Sequence, residues 1–454
     1  MAQQNSATEV ERTLGRMDLM AIAVGQIIGA GVMVMSIAAM KMTGRSVNIA
    51  FMIAAVFTIF GTFPTLFVSS IIRLKGGAYT QAILFVSESY AGFTKFVGLL
   101  GTVSMAMFAV GLTSYIGMLV PGIKEHEVLV SFAILTFFFV LNFFGTAWMA
   151  KAQSFMFYFL IAALLIFTIF GLPKVQWSGY FGNKLFDQPL LNNGISGLME
   201  ASAYLTFATG GATVIVSFSA DAINPQKDIP FVVIVSTLTV AFLYGLMATV
   251  IGGVLPPDQV IEAGNLAPIA KIILPTPLYY FFIIGGAIFA LGTTLNSTIA
   301  SSLRPMAVCC ADGWFPAWIG KLHPKTGVPV GFLTILYLIN VPIILLGLDV
   351  GQIGKWSLII GNVMGFVNAL SVIRLPKLFP EAWEKSPFHV SNGVLTLMLG
   401  LTSVSLAIQA YLNLQGLNFY IIAVNIATFI AGVFYVMWRQ KAGYVHTNPS
   451  YELS

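Results

Sequence analysis

The chain has 454 residues, of which 57% are hydrophobic and only 9% are charged. Soluble domains carry about 25% charged residues, so this composition excludes a soluble enzyme, a nucleic-acid-binding protein and a disordered scaffold. Lys and Arg total 22 against 17 for Asp and Glu, a surplus typical of loops on the cytoplasmic side of a membrane. The sequence therefore predicts an integral membrane protein in a lipid bilayer, with no nucleic-acid partner.

Twelve spanning helices are predicted from the gaps between charged residues. A spanning helix needs about 20 mostly apolar residues, because the hydrocarbon core is about 30 Å thick. Charge-free windows occupy residues 19–40, 46–72, 96–123, 128–150, 152–173, 201–220, 229–256, 272–303, 326–348 and 356–373. A last window, 386–438, is long enough for two spans, which we divide at residues 414–418. The predicted fold class is an all-α polytopic membrane protein.

Both termini are predicted to be cytoplasmic. With this orientation 15 of the 22 Lys and Arg residues lie inside, as the positive-inside rule requires. The polar residues 1–16 do not resemble a signal peptide, because no cleavage site follows the first apolar stretch.

No catalytic or metal-binding pattern is visible in the sequence. The two cysteines, Cys309 and Cys310, are adjacent, so neither a disulfide framework nor a zinc cluster is expected. The four histidines fall in loops or in the tail, and no window contains an acid that could relay protons. We expect no enzymatic activity, no metal and no cofactor.

Two windows are interrupted by glycines at corresponding positions. Residues 25–32 of the first window read GQIIGAGV, and residues 207–213 of the sixth read FATGGAT. These spans begin two blocks of five spans each, and paired glycine-interrupted spans indicate a transporter site built from an inverted repeat. The Gly25-x-x-x-Gly29 spacing is also common as a packing surface between membrane helices, so this alternative remains open.

A broken helix suits a zwitterionic ligand. A half-helix that stops inside the membrane leaves N–H groups unpaired at one end and carbonyl groups unpaired at the other. The N–H end attracts a carboxylate and the carbonyl end attracts an ammonium group. Such a site can hold an amino acid without any charged side chain.

Four motifs in order carry a resemblance to a known family. They are IIGAGV at 27–32, KGGAY at 75–79, FATGG at 207–211 followed by DAINP at 221–225, and ADGWFP at 311–316. With them the chain resembles amino acid permeases of the amino acid–polyamine–organocation superfamily, close to bacterial L-type amino acid transporters. The resemblance implies a leucine-transporter-like fold of twelve helices, with a five-plus-five inverted repeat and breaks in helices 1 and 6. The domains expected are a tail at 1–16, a transporter core at 17–377, two further spans at 378–438 and a tail at 439–454.

The resemblance also implies a substrate site made of backbone groups. The residues expected there are Ile27, Gly29, Ala30, Gly31, Val32, Phe207, Ala208 and Gly210. By this likeness the N–H groups of Ala30, Gly31 and Val32 receive the substrate carboxylate. The α-amine is held by the carbonyls of Ile27, Phe207, Ala208 and Gly210. Phe207 stands where the family has an aromatic gate, although ordinary packing is the alternative for one of 37 phenylalanines.

Departures from the family pattern bear on substrate and coupling. Ala212 and Thr213 are small where many relatives have larger side chains, and no acid is available to recognise a basic substrate, which favours neutral amino acids. The lysine of many sodium-independent relatives is replaced by Leu160. Ser297 and Thr298 are the possible cation or coupling position, since hydroxyls can bind hard cations; alternatively they bond back to the preceding helical turn.

The predicted function is secondary transport of neutral L-amino acids, by exchange or uptake through alternating access, at a bacterial plasma membrane. The alternatives are amino acid/amine antiport linked to a decarboxylation pathway and amino acid sensing without transport. The loop at residues 121–127 has no cysteine, whereas animal L-type relatives use one there to bind a heavy chain. No disulfide-linked heavy chain is therefore expected.

Overall fold

The structure, a computed structural model, is helical throughout most of its length. It describes residues 14–29, 31–74, 77–120, 122–144, 147–182, 185–218, 222–447, 449 and 451–453. Within this part of the chain the helices are interrupted by only two short strands, β1 (Ile72–Leu74) and β2 (Tyr451–Leu453), which pair antiparallel. The predicted all-helical architecture is thus confirmed in outline.

The helices follow one another with short connections. The first half contains α1 (Arg16–Ile27), α2 (Ser36–Thr43), α3 (Val47–Ser69), α4 (Ala78–Phe85), α5 (Glu88–Gly101), α6 (Ser104–Ile116), α7 (Glu127–Phe143) and α8 (Ala147–Gly171). The next part contains α9 (Gly194–Thr209), α10 (Pro225–Val254), α11 (Pro257–Ala263), α12 (Ala267–Ile273), α13 (Thr276–Phe281), α14 (Phe289–Ala311), α15 (Ala317–Gly320), α16 (Val330–Leu345) and α17 (Val350–Val372). The last part contains α18 (Leu375–Leu378), α19 (Pro380–Glu384), α20 (Asn392–Leu414) and α21 (Phe419–Lys441).

Several helical segments depart from α-helical geometry. Gly31–Met35 and Phe282–Ile288 are π-helical, and Ala212–Phe218 is a 3-10 helix. Gly31–Met35 joins α1 to α2, and Ala212–Phe218 follows α9. Both glycine-rich motifs therefore coincide with a change of helix type.

Seven helical stretches of the described residues are long and apolar enough to cross a membrane. They are Arg16–Ser69, Glu88–Ile116, Pro225–Val254, Thr276–Ala311, Val350–Val372, Asn392–Leu414 and Phe419–Lys441. Glu127–Phe143, Tyr158–Lys174 and Val330–Leu345 are apolar but shorter. The count by helix length is lower because Arg16–Ser69 covers two predicted windows, the sixth window is broken after α9, and three apolar helices are shorter. The twelve-span arrangement remains a prediction.

Helix ends follow local sequence signals. The side chain of Asn418 accepts a hydrogen bond from the Tyr420 N–H at the start of α21, and Asp349 accepts one from the Gly351 N–H at the start of α17. Such caps satisfy N–H groups that lack a partner in the first helical turn. The cap at Asn418 and the end of α20 at Leu414 place the helix boundary at the predicted 414–418 division.

Two groups of helices each pack among their own members, and α8 and α10 also pack against each other across the two groups. In one group, α3 packs against α9 and α10, and α1 packs against α10. In the other, α14 packs against α6, α7 and α8, and α16 packs against α6 and α7. A large hydrophobic core includes buried side chains from both groups.

One predicted boundary differs from the structure. The third window begins at residue 96, whereas α5 begins at Glu88 and includes Lys95. Charge-free windows end at every charged residue, but a helix can continue through a lysine because lysine is a good helix former.

Candidate functional site

The two glycine-containing breaks lie against each other. A Cβ added to Gly31 would lie 2.7 Å from the Cβ and 2.8 Å from the Cα of Ala208. Gly211 has a φ of +112°, and a Cβ there would lie 3.2 Å from the Gln26 carbonyl oxygen. Two glycines thus permit a backbone approach that no larger residue allows, one from each break. Residues about 180 positions apart in the sequence meet at this crossing.

The carbonyl ends of two half-helices open at the crossing. α1 ends at Ile27, and α9 ends at Thr209, where the Gly210 N–H still bonds to the Thr206 carbonyl. The carbonyls of Phe207 and Ala208 lie beyond that last bond of the helix, so they are available to a donor from outside it. This arrangement suits an ammonium group.

An N–H end opens at the same place. Gly31 and Val32 start the helical continuation of the first break, and both are buried. The first N–H groups of a helical segment have no partner within it, and they attract anions. Ala30, the third residue expected to bind the carboxylate, lies outside the described residues.

Tyr244 of α10 supports the first break. Its hydroxyl donates to the Ile27 carbonyl at 3.2 Å and accepts from the Gly29 N–H at 3.4 Å. The side chain is fully buried, and a Cβ on Gly29 would overlap the Thr294 hydroxyl of α14. The break is therefore enclosed by helices from both packing groups.

Tyr115 of α6 supports the continuation of the same break. Its hydroxyl donates to the Met33 carbonyl at 2.9 Å and accepts from the Leu266 N–H at 3.2 Å. Tyr115 therefore holds the π-helical segment in place, and its hydroxyl is occupied by these bonds rather than available to a ligand.

Phe207 bridges the two helix groups. Its partly buried ring lies 6.0 Å from the ring of Phe108 on α6, with the planes inclined by 49°. Phe207 is on α9 and Phe108 is on α6, so a relative motion of the groups would separate the rings. The neighbouring Thr209 shares a 2.6 Å hydrogen bond with Thr58 of α3.

The possible cation position has a defined hydrogen-bond pattern. The Ser297 hydroxyl donates to the Thr293 carbonyl at 2.8 Å, and the Thr298 hydroxyl donates to the Thr294 carbonyl at 2.7 Å. This is the bonding to the preceding turn that the sequence leaves as the alternative. Leu160, at the lysine position of many relatives, is buried. A cation site here stays a prediction.

A polar cavity of 220 Å³ lies at the far end of α9. It is lined by Ala38, Lys41, Met42, Asn193, Glu200, Asp349, Gly351, Gln352 and Lys355. Glu200 and Phe207 are seven residues apart on α9, which places them on one face about two turns apart. Glu200 at the cavity and Phe207 at the break thus lie on the same face of this helix.

Two ion pairs border the cavity. The buried ammonium group of Lys355 lies 2.5 Å from Glu200 and also donates to the Gln415 carbonyl at 2.7 Å. Lys41 and Asp349 form a more exposed pair at 3.2 Å. Glu200 of α9 is therefore a partner of α17.

Comparison with known proteins identifies the family. The family model described as amino acid permease matches residues 14–441. The chain belongs to the amino acid permease family. This permease is accordingly a multi-pass membrane transporter, as the motifs predict.

Relatives of the permease are named as transporters of several different substrates. It is 23% identical over 350 residues to the branched-chain amino acid permease of Bacillus subtilis, covering 72% of this chain and 73% of the relative. It is 25% identical over 401 residues to the vacuolar cationic amino acid transporter 4 of Arabidopsis thaliana, covering 82% and 64%. A methylthioribose transporter of B. subtilis is 22% identical over 350 residues, covering 72% and 74%. These relatives are transporters, and their names differ in substrate.

Sequence reasoning missed Tyr244, Thr294 and Lys355. Each acts on a residue more than 150 positions away, and no local pattern marks such a pairing. One sequence signal could have pointed to Lys355. It directly precedes a charge-free window and lies on the outer side of the membrane in the predicted topology.

Proposed function

We propose that this permease transports neutral L-amino acids across the plasma membrane by alternating access. The observation that carries the proposal is the contact of the two breaks, Gly31 against Ala208 and Gly211 against Gln26. It brings one N-terminal and two C-terminal half-helix ends to one place, which matches the opposite charges of a zwitterion.

In this proposal the substrate carboxylate binds the N–H groups of Ala30, Gly31 and Val32. The ammonium group binds the carbonyls of Ile27, Phe207, Ala208 and Gly210. Tyr244 keeps the Ile27 carbonyl and the Gly29 N–H in position while a second lone pair of that carbonyl receives the ligand. Backbone dipoles fixed by packing need little reorganisation when the ligand arrives.

The side chains at the crossing support a neutral substrate. The side chains described there are those of Gln26, Tyr244, Thr294, Phe207 and Ala208, and all of them are uncharged. A cationic or anionic substrate side chain would lose its hydration without gaining a partner of opposite charge, which is costly. The relatives' names include branched-chain and cationic amino acids, so family membership alone leaves the substrate open.

Alternating access would proceed by movement of the two helix groups. The substrate enters by the cavity at Glu200 and Lys355, and Phe207 then closes over it against Phe108. The first ten of the twelve spans form two inverted repeats of five and supply the two groups, with both termini cytoplasmic. Separation of the groups on the opposite side releases the substrate.

The decisive experiment is counterflow in proteoliposomes. Vesicles loaded with one unlabelled amino acid are tested for uptake of the same labelled compound, across neutral, cationic and acidic amino acids and amines, with and without sodium and a proton gradient. We expect counterflow with neutral L-amino acids. Stronger counterflow with an amine would favour amine antiport, and thermal stabilisation by a ligand that is not transported would favour sensing.

A glycine variant tests whether counterflow depends on the contact of the two breaks. Gly31→Ala puts a methyl group onto the Ala208 backbone and forces the breaks apart, so counterflow should fall roughly tenfold to a hundredfold. Gly400→Ala is the matched control, since a Cβ there meets open space. Wild-type rates in correctly folded Gly31→Ala would contradict the proposed site.

A further inference from the structure

The C-terminal residues contact both helix groups on one face of the molecule. β2 (Tyr451–Leu453) pairs antiparallel with β1 (Ile72–Leu74), in a register that sets Ile72 opposite Leu453. β1 follows directly after α3, which packs with α9 and α10. One end of the tail is thus attached to the group that contains the sixth-span break.

The preceding part of the tail is attached to the other group. The His446 N–H donates to the Asp312 carbonyl at 3.0 Å, just after the end of α14. Gly313 has a φ of +82°, and a Cβ there would overlap the Tyr444 carbonyl. The close approach of the two chain segments therefore requires a glycine at this position.

A buried arginine fixes this second attachment. Arg439, in the last turn of α21, donates from Nε at 3.0 Å and also from its terminal nitrogen to the Gly313 carbonyl. Its guanidinium lies 4.4 Å from the ring centroid of Tyr444. Tyr79 adds a 2.6 Å hydrogen bond from its hydroxyl to the Asp312 carboxylate. The end of α14 is a firm anchor for the tail.

We propose that the C-terminal tail, attached at Tyr444 and His446 and again at Tyr451–Leu453, acts as a strap that ties the two helix groups together and slows their separation on this face, which we propose to be cytoplasmic. The inference rests on the proposed function, because the strap resists the motion that releases substrate in alternating access. Four residues separate His446 from Tyr451, so the strap has little slack once the groups move apart.

Two variants change the strap in opposite directions. Removal of residues 448–454 deletes β2, and the counterflow rate should rise roughly fivefold, the factor that one net hydrogen bond represents. Ile72→Cys combined with Leu453→Cys permits a disulfide across the paired strands. Oxidation should lower the rate by a similar factor, and reduction should restore it. Leu453→Cys alone is the control, and the natural cysteines Cys309 and Cys310 are buried.

The outcomes separate the strap from the transport function. A wild-type protein that shows counterflow, with rates unaffected by either truncation or complete cross-linking, would overturn the strap and leave the function intact. Failure of the disulfide to form would also overturn it, since the strands would not be paired. If the truncated protein does not fold, the cross-linked variant tests the strap alone. A counterflow rate that complete cross-linking leaves unchanged would then overturn it. A wild-type protein without any counterflow overturns both proposals.

Discussion

At the scale of single residues, the site depends on how unpaired backbone groups are satisfied. The first break exposes a carbonyl at Ile27 and an N–H at Gly29, and the Tyr244 hydroxyl binds both. An unsatisfied buried polar group costs about 1–3 kcal/mol, so one phenol stabilises a conformation that the chain would otherwise avoid.

Tyr244→Phe should therefore impair transport without changing the fold. The ring that packs against Phe51 at 5.4 Å remains, but the two backbone groups lose their partner. We expect counterflow to fall about fivefold to thirtyfold, equivalent to about 1–2 kcal/mol. Tyr420→Phe is the control, because Tyr420 is exposed at the start of α21. Equal rates for the two variants would show that the hydroxyl has no role.

The glycines of the two breaks differ in what they require. Gly31 needs space, because a methyl group would meet the Ala208 backbone. Gly211 needs both space and a positive φ that L-residues rarely adopt. The sequence indicates that glycine matters at both positions, but only the packing partners reveal the reason for each.

At the scale of elements, the corner between α2 and α3 is held by a buried arginine. Arg45 lies in the 3-10 turn Gly44–Ser46 and is fully buried. Its guanidinium donates to carbonyls of the loop after α8, at Tyr180 (2.8 Å), Gly182 (2.6 Å) and Gln188 (2.8 Å). One planar group with several donors thus joins a long loop to the corner.

Arg45→Lys should destabilise the protein although the charge is kept. A lysine has one nitrogen and cannot reach three carbonyls in a fixed fork, so we expect a loss of about 2 kcal/mol or more in the free energy of unfolding. Thermal unfolding in detergent measures it. Arg374→Lys is the control, since among the described residues Arg374 makes a single, long bond of 3.4 Å to the Phe85 carbonyl. A melting temperature for Arg45→Lys as high as that of the control would refute this role.

At the scale of the whole molecule, ion pairs join helices that are distant in sequence. Lys355 of α17 binds Glu200 of α9 and the Gln415 carbonyl after α20. Gln352 adds a 2.8 Å bond to the Gly416 carbonyl and accepts from the Asn418 N–H at 2.9 Å. This network connects the cavity to the last two long helices.

A double-mutant cycle should distinguish the two pairs at the cavity. The Lys355 side chain is 6% exposed and Glu200 is 19% exposed, whereas Lys41 and Asp349 are 46% and 53% exposed. We expect a coupling energy of about 1–3 kcal/mol for Lys355→Met with Glu200→Leu. The corresponding cycle at Lys41 and Asp349 should give under about 1 kcal/mol. Equal coupling energies, measured by thermal unfolding, would contradict the difference in burial.

Much of the fold was predictable because its signals are local. Charge-free windows locate apolar helices, and Asn418 and Asp349 mark helix starts through their own side chains. The strand pair was not predictable, since β1 and β2 are each three residues long and their paired residues are 377 or more positions apart. Part of the candidate site was predictable, because glycine motifs indicate both breaks. The supporting residue Tyr244 was not, because nothing in either motif indicates it.

The sequence by itself determined the class of protein, its family, its apolar helices and the two places where a helix must break. These follow from hydropathy, from glycine's conformational freedom and from motifs, all of which act over a few residues. The tertiary structure decided that the breaks meet, that Tyr244 and Thr294 enclose the first break and that Lys355 pairs with Glu200. Such contacts depend on which helices pack together, and packing is set by the shapes of all the helices at once.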